Sequence, residues 1–195
     1  ARPARSGCPI TATTVAPGDL LVMGAGSVGC FVGGSLQNAG ATVHYVGRRR
    51  VFDALQVHGL TLTDLEGRRT QLPPAALALS DRVPKIKPSL VLLTVNSSAT
   101  REAAAELGRM LPAGTTVVSL QNGIGNAGAA QDAAPALEVI AGMVPFNVAE
   151  LAPGRFHRGT SGALSAGEHE VLRAWQPLFE RAGLPLTLHA DMRGV

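Results

Sequence analysis

"LLVMGAGSVGCFVGG" at Leu20–Gly34 sets a run of apolar residues directly before a cluster of glycines. A short apolar run closed by turn residues is the pattern of a strand buried on both faces. From Ser27 the period changes. Val28, Phe31, Val32, Ser35, Leu36 and Ala39 recur at spacings of three and four, along one face of a helix. Gly40 stands where a glycine ends a helix, and "ATVHYV" (Ala41–Val46) reads as a second strand. Strand, helix and strand in immediate succession form the unit of a parallel sheet.

The glycines also have a chemical reading. Gly24, Gly26 and Gly29 spell G-x-G-x-x-G between the strand and the helix. The first permits a tight turn, the second lets a pyrophosphate approach the backbone, and the third lets the helix sit close to the sheet. Backbone amides of Ala25, Ser27 and Val28, together with the helix dipole, would then face the phosphates of a dinucleotide. The motif alone is a weak signal; the strand before it, the amphipathic helix after it and the second strand strengthen it. NAD-binding versions carry an Asp or Glu about twenty residues past the loop, on the ribose hydroxyls. Here Gly47 and Arg48 hold that place, opening "GRRR". A carboxylate would repel a 2′-phosphate, whereas a guanidinium pairs with it in a fork. NADP(H) is the favoured cofactor, with Arg48 the first candidate and Arg49 the reserve.

Downstream, strands and helices keep alternating. "RRRVFDALQVHG" reads as a short helix ending at Gly59, and "LTLTD…EGRRTQL" as a hairpin turning at Gly67. "SLVLLTV" (Ser89–Val95) is the clearest buried strand; a helix over Ser98–Leu111 follows, with Ser98 as its cap. "TTVVSL" (Thr115–Leu120), "LEVIAGMV" (Leu137–Val144) and "PLTLHA" read as further strands, and Glu168–Gly183 as a helix. "GRFHRGTSGALSAGE" reads as short strands paired with each other through glycine turns. The whole predicts one α/β domain over 19–190, a doubly wound parallel sheet with a small hairpin insertion. Residues 1–18 read as a disordered extension and 191–195 as the start of a linker. "VNSSAT" (Val95–Thr100) and "QNGIG" (Gln121–Gly125) follow strand ends, the edge where open α/β sheets bind ligands. Asn122 is thereby a candidate ligand to ribose or substrate.

Composition narrows the alternatives. Of 195 residues 46% are hydrophobic, yet only one Trp, one Tyr and five Phe are present, so Val, Leu, Ala and Gly must build the core. The net charge is +3 and the basic residues are scattered apart from Arg48–Arg50, which argues against a nucleic-acid surface. No apolar run approaches the roughly 18 residues of a membrane span. The two cysteines, Cys8 and Cys30, read as free thiols of a reducing, cytoplasmic compartment. The histidines form no metal-ligand spacing, and no G-x-S-x-G elbow is present.

"GAGSVG", an Arg ending the second strand, the "GLTL…EG" hairpin, "LVLLTV", "QNGIG" and "DMRG" together resemble the ketopantoate reductase (2-dehydropantoate 2-reductase) family. The resemblance runs from about Asp19 to Val195. It implies a Rossmann-type domain and NADPH-dependent reduction of a small 2-keto acid, ketopantoate to pantoate, toward pantothenate and coenzyme A. It also implies a helical C-terminal domain, absent from these residues, whose general-acid Lys would stand just beyond Val195. No catalytic residue is then expected within the chain itself. An apolar face would meet that domain, and an oligomer is compatible with the family. The family resemblance matches Asn122 to an Asn near the nicotinamide, and places a cofactor-binding backbone amide near Val148. Where the family carries a cofactor-binding Lys after the "VLLTV" strand, this sequence has Asn96, uncharged but able to hydrogen-bond. That substitution leaves a reductase of another 2-keto acid open, and a non-catalytic NADP-binding module is the reading from a different class.

Overall fold

The structure is a computed structural model that describes residues 17–121 and 125–192. Cys8, most of the N-terminal extension, Asn122 and the end of "DMRG" lie outside the described residues.

The chain begins as read: β1 (Leu20–Met23), α1 (Ser27–Asn38), β2 (Val43–Val46), α2 (Arg49–His58), then the hairpin β3 (Leu60–Asp64) and β4 (Arg69–Leu72). It continues through β5 (Ala78–Ser80), β6 (Leu90–Leu93), α3 (Thr100–Met110), β7 (Thr116–Ser119), α4 (Asn126–Ala133) and β8 (Glu138–Met143). It closes with β9 (Val148–Ala152), β10 (Arg155–Arg158), β11 (Leu164–Gly167), α5 (Glu170–Arg181) and β12 (Leu186–His189).

The main sheet has the order β12-β11-β8-β7-β6-β1-β2-β5. From β5 to β8 every pairing is parallel. This is the Rossmann-type core expected, with one change: β11 and β12 pair with each other in parallel but run antiparallel to β8. The chain moves outward from β1 through β2 to β5, then returns to β6 on β1's other side. That reversal opens a crevice at the carboxyl ends of β1 and β6.

Alternation explains the unbroken apolar runs. Leu20 and Val22 of β1 join Leu90 and Leu92 of β6 in a core shared with α1, α5 and the second sheet. Leu21, Met23, Val91 and Leu93 face the other way, onto Ala103 and Leu107 of α3 and Ala130 of α4. Strands covered on both faces have no polar side to show.

Several expectations are corrected. The hairpin is not a mere insertion on one sheet: it is half of a second, four-stranded sheet ordered β4-β3-β10-β9. β10 and β11 do not pair with each other. β10 lies parallel to β3, with Phe156 opposite Leu62, and buries Phe156 there; β11 buries Leu164 and Ala166 in the main sheet. The apolar residues of the two strands therefore serve different sheets. Ser98 does not cap α3. A 3-10 turn over Ser97–Ala99 comes first and Ala99 holds the cap position. Thr100 is drawn inward instead, its hydroxyl accepting from Gln121 Nε2 at 2.7 Å. β5, α4 and β9 were not legible from the sequence: β5 is three residues long, and α4, "NAGAAQDA", has no apolar stripe.

Candidate functional site

The glycine turn after β1 is set by backbone contacts. The amides of Gly24 and Ala25 both donate to the Val46 carbonyl at 2.9 Å, tying the turn to β2. On the other side Thr94 donates through its amide to Met23 O at 2.9 Å and through Oγ1 to Gly24 O at 2.7 Å. Gly24 has φ +117°, and a Cβ on it would stand 2.6 Å from Val95 N. A Cβ on Gly29 would stand 2.1 Å from Gly24 O, so α1 can start this close to the turn only without a side chain there. Gly26 differs: a Cβ on it would meet nothing within 4 Å. Its open side is the side a pyrophosphate would occupy. α1 begins with no side-chain cap and no acidic residue in its first turn. Its first amides, including those of Ser27 and Val28, and the positive end of its dipole are left for an anion.

A cavity of about 440 Å³ follows this edge. Its floor is Gly24–Ser27. One end is Gly47, Arg48, Arg50 and Asp81 at the tips of β2 and β5; the other is Thr94–Asn96 after β6. Ala99, Glu102, Ala103 and Glu106 of α3 form a wall. Arg48 is the N-cap residue of α2, in extended conformation and exposed. Arg49 is not among the lining residues; Arg50 is, so the reserve cation at this end is Arg50.

A second cavity of about 180 Å³ adjoins it, walled by Val28, Thr94–Ser97, Leu120, Gln121, Val144 and Phe146. Thr94, Val95 and Asn96 line both, so Asn96 stands at the junction. Gln121 is buried and braces this end. Its Nε2 donates to Val95 O and Thr100 Oγ1, each at 2.7 Å, and its Oε1 accepts from Ser119 Oγ at 2.9 Å. Val148 is the first residue of β9, opposite Arg158, and lines neither cavity; Phe146 is what its segment contributes. Thr94, Arg50, Gln121 and Phe146 are the site residues that sequence reading missed. The Thr after the "VLL" strand was visible, but its partner, a backbone carbonyl far away in sequence, was not.

Cys30 is buried and free, its Sγ 3.4 Å from the Ala25 carbonyl. Burial, and secondly the charge of Glu150, push its pKa up to about 12, so it is a neutral packing group at ordinary pH. Tyr45, raised by burial first, donates to Gln37 Oε1 at 2.9 Å. Among the described residues no group of three or more His, Cys, Asp or Glu could hold a metal, and no helix is long and apolar enough to cross a membrane.

Comparison with known proteins identifies the group to which this geometry belongs. The pattern of the family described as ketopantoate reductase PanE/ApbA matches residues 20–170. A 2-dehydropantoate 2-reductase of Pyrococcus horikoshii is 32% identical over 180 residues, covering 90% of this chain and 57% of that protein. The solved structure of a PanE/ApbA family ketopantoate reductase from Ralstonia eutropha superposes with a TM-score of 0.81 at 29% identity, covering 90% of this chain and 58% of that one. A D-mandelate dehydrogenase solved with NADH and anilino(oxo)acetate has the same fold, with a TM-score of 0.73 at 19% identity over 89% of this chain and 57% of that one. The chain spans a little over half the length of each of these three proteins.

Proposed function

The chain belongs to the ketopantoate reductase family, and from that premise we propose that it binds NADPH along its glycine turn for the reduction of 2-dehydropantoate to pantoate, toward pantothenate and coenzyme A. One observation carries the cofactor reading: the passage from β2 into α2 presents Arg48 and Arg50 to the cavity where an NAD-binding site would present a carboxylate. The residues fit the group. Gly26 leaves its face open, the uncapped start of α1 offers amides to the pyrophosphate, and the two guanidiniums suit a 2′-phosphate.

When bound, NADPH supplies a hydride for the keto carbon. The chain's own part is binding and orientation. Arg48 and Arg50 would hold the phosphorylated ribose, and the glycine turn with the first amides of α1 would bind the pyrophosphate. Asn96, at the junction of the two cavities, would direct the nicotinamide half toward the second, whose end Gln121 braces; the family resemblance gives Asn122 a place near the nicotinamide. By the family resemblance, the proton for the forming alkoxide comes from a Lys of a helical domain outside these 195 residues, as general acid.

The test is turnover. With NADPH, a protein joining this chain to such a helical domain should reduce 2-dehydropantoate with a kcat/KM at least tenfold above that for other 2-keto acids. Equal values across keto acids would contradict the substrate. A second reading, another 2-keto acid, is favoured by Asn96, which puts a neutral amide at the junction of the two cavities.

A further inference from the structure

The wall of the larger cavity opposite the arginines is the stripe Ala99, Glu102, Ala103 and Glu106 of α3, residues that share one helix face. The alanines leave it flat and the acids make it a hydrogen-bond acceptor. Of these acids Glu106 is the one held in place: it is half-buried, and its Oε1 accepts from the Val83 amide at 3.0 Å. Among the described residues its carboxylate makes no other hydrogen bond, so one oxygen remains to face the cavity. Val83 belongs to the segment just past β5, where Ser80 Oγ bonds both the carbonyl and the amide of Arg82, at 2.6 and 3.3 Å. Asp81, inside that turn, lines the same end. The Gly47 amide donates to Ser80 O at 3.3 Å, which fixes this end beside Arg48.

We propose that Glu106, with Asp81 beside it, reads the base of the dinucleotide by accepting from the exocyclic amino group of adenine. This rests on the cofactor reading above and deepens it. With pyrophosphate on the glycine turn and the ribose phosphate on Arg48 and Arg50, the base lies past the tips of β2 and β5. There Asp81 and the α3 stripe offer side-chain acceptors and no side-chain donor, the two guanidiniums being taken by the ribose phosphate. Adenine presents an amino donor at C6; hypoxanthine presents a carbonyl oxygen there, which meets Glu106 acceptor to acceptor, and its one donor on that edge moves to N1. The Val83 amide has already fixed Glu106, so little side-chain entropy is lost on binding.

The experiment compares NADPH with its hypoxanthine analogue, deamino-NADPH, titrated into the 195-residue chain by nucleotide fluorescence. The unmodified chain should bind NADPH roughly tenfold more tightly than the analogue, the scale of one hydrogen bond to a charged group. Glu106→Gln keeps an oxygen for the Val83 amide and turns an NH2 group to the base. It should erase or reverse the preference without changing the melting temperature. Asp81→Asn, an exposed change that leaves the fold alone, should reduce the preference by a smaller factor. Equal affinities in the unmodified chain, or a preference unchanged in both variants, overturn the inference while leaving the cofactor reading standing. Failure to bind either nucleotide overturns both.

Discussion

Helix α1 is seated on two sheets by different means. Against the main sheet it approaches through glycines: a Cβ on Gly29 would stand 2.1 Å from Gly24 O, and one on Gly33 2.8 Å from Val22 Cγ2. Toward the second sheet only side-chain ends of β3 stand opposite Gly34, and the helix offers Phe31, edge-on at 6.1 Å and 65° to Phe146 of the segment leading into β9, with the Arg158 guanidinium of β10 5.9 Å from the first ring and 5.5 Å from the second. Arg158 is only 5% exposed and reaches across to the hairpin, its Nη2 2.6 Å from Glu66 Oε2 and 3.5 Å from Asp64 Oδ2. The first contact is shape alone, and it holds the start of α1 in register with the phosphate-binding turn. The second is a desolvated charge whose cost is offset by two carboxylates and two aromatic faces.

The contrast predicts unequal sensitivity. Gly29→Ala should do the most damage, because the obstructing atom is a backbone oxygen that cannot move without opening the turn. We expect a loss of about 3 kcal/mol, near the upper end for overpacking, read as a melting temperature lower by roughly 6–12 °C, and no measurable NADPH binding. A Gly29→Ala chain that bound NADPH normally would show that the close approach is not what forms the site.

Arg158→Ala should come next, at about 3 kcal/mol or somewhat less, because buried Asp64 is left without its partner. Its loss should fall on the second sheet, as faster hydrogen exchange in β3 and β4, with the main sheet little affected. Acid should act on the same contact. The hydrogen bond from Arg158 holds the Glu66 pKa below the ordinary carboxylate value of 4.5. That contribution is therefore full above about pH 4.5 and is lost as pH falls through the lower, folded-state value. Exchange in the hairpin should rise over that window in the unmodified chain and not in Glu66→Gln. Uniform loosening of both sheets would show that the Arg158 contact does not act on the second sheet alone.

Gly34→Ala should be the mildest. Its Cβ would stand 2.6 Å from Leu60 Cδ2 and 2.9 Å from Leu62 Cδ1, ends of side chains that can rotate. The helix preference of Ala over Gly, about 1 kcal/mol, works in the opposite direction. A net change within about 1 kcal/mol is expected by thermal melting, and a loss as large as that of Gly29→Ala would erase the difference between the two faces.

The same division separates what the sequence disclosed from what it did not. β1, α1 and β2 adjoin in the chain, and their pattern of apolar residues, glycines and an arginine is local. The glycine turn, and Arg48 at the end of the cavity it opens, were legible for that reason. The second sheet depends on β10 finding β3, where Phe156 pairs with Leu62 across a long stretch of chain. Nothing in "GRFHRG" names that partner, so its strand was matched to its neighbour in sequence. Arg158, Thr94 and Gln121 were missed for the same reason: their partners are remote residues or backbone carbonyls, which leave no mark at a fixed spacing. Arg50 rather than Arg49 reaches the cavity because of how α2 leaves the tip of β2, a matter of orientation that a run of three arginines cannot express.

We propose that the glycine turn and the passage from β2 into α2 together select a phosphorylated nicotinamide dinucleotide. Titrating the chain with NADPH and with NADH, before and after Arg48→Ala, tests this most directly. NADPH should bind at least tenfold more tightly to the unmodified chain. In the variant its affinity should fall by about one to two powers of ten, the range for a charge-assisted contact, while that of NADH barely changes. Equal affinities for the two nucleotides in the unmodified chain, or an equal loss of both in the variant, would contradict the account.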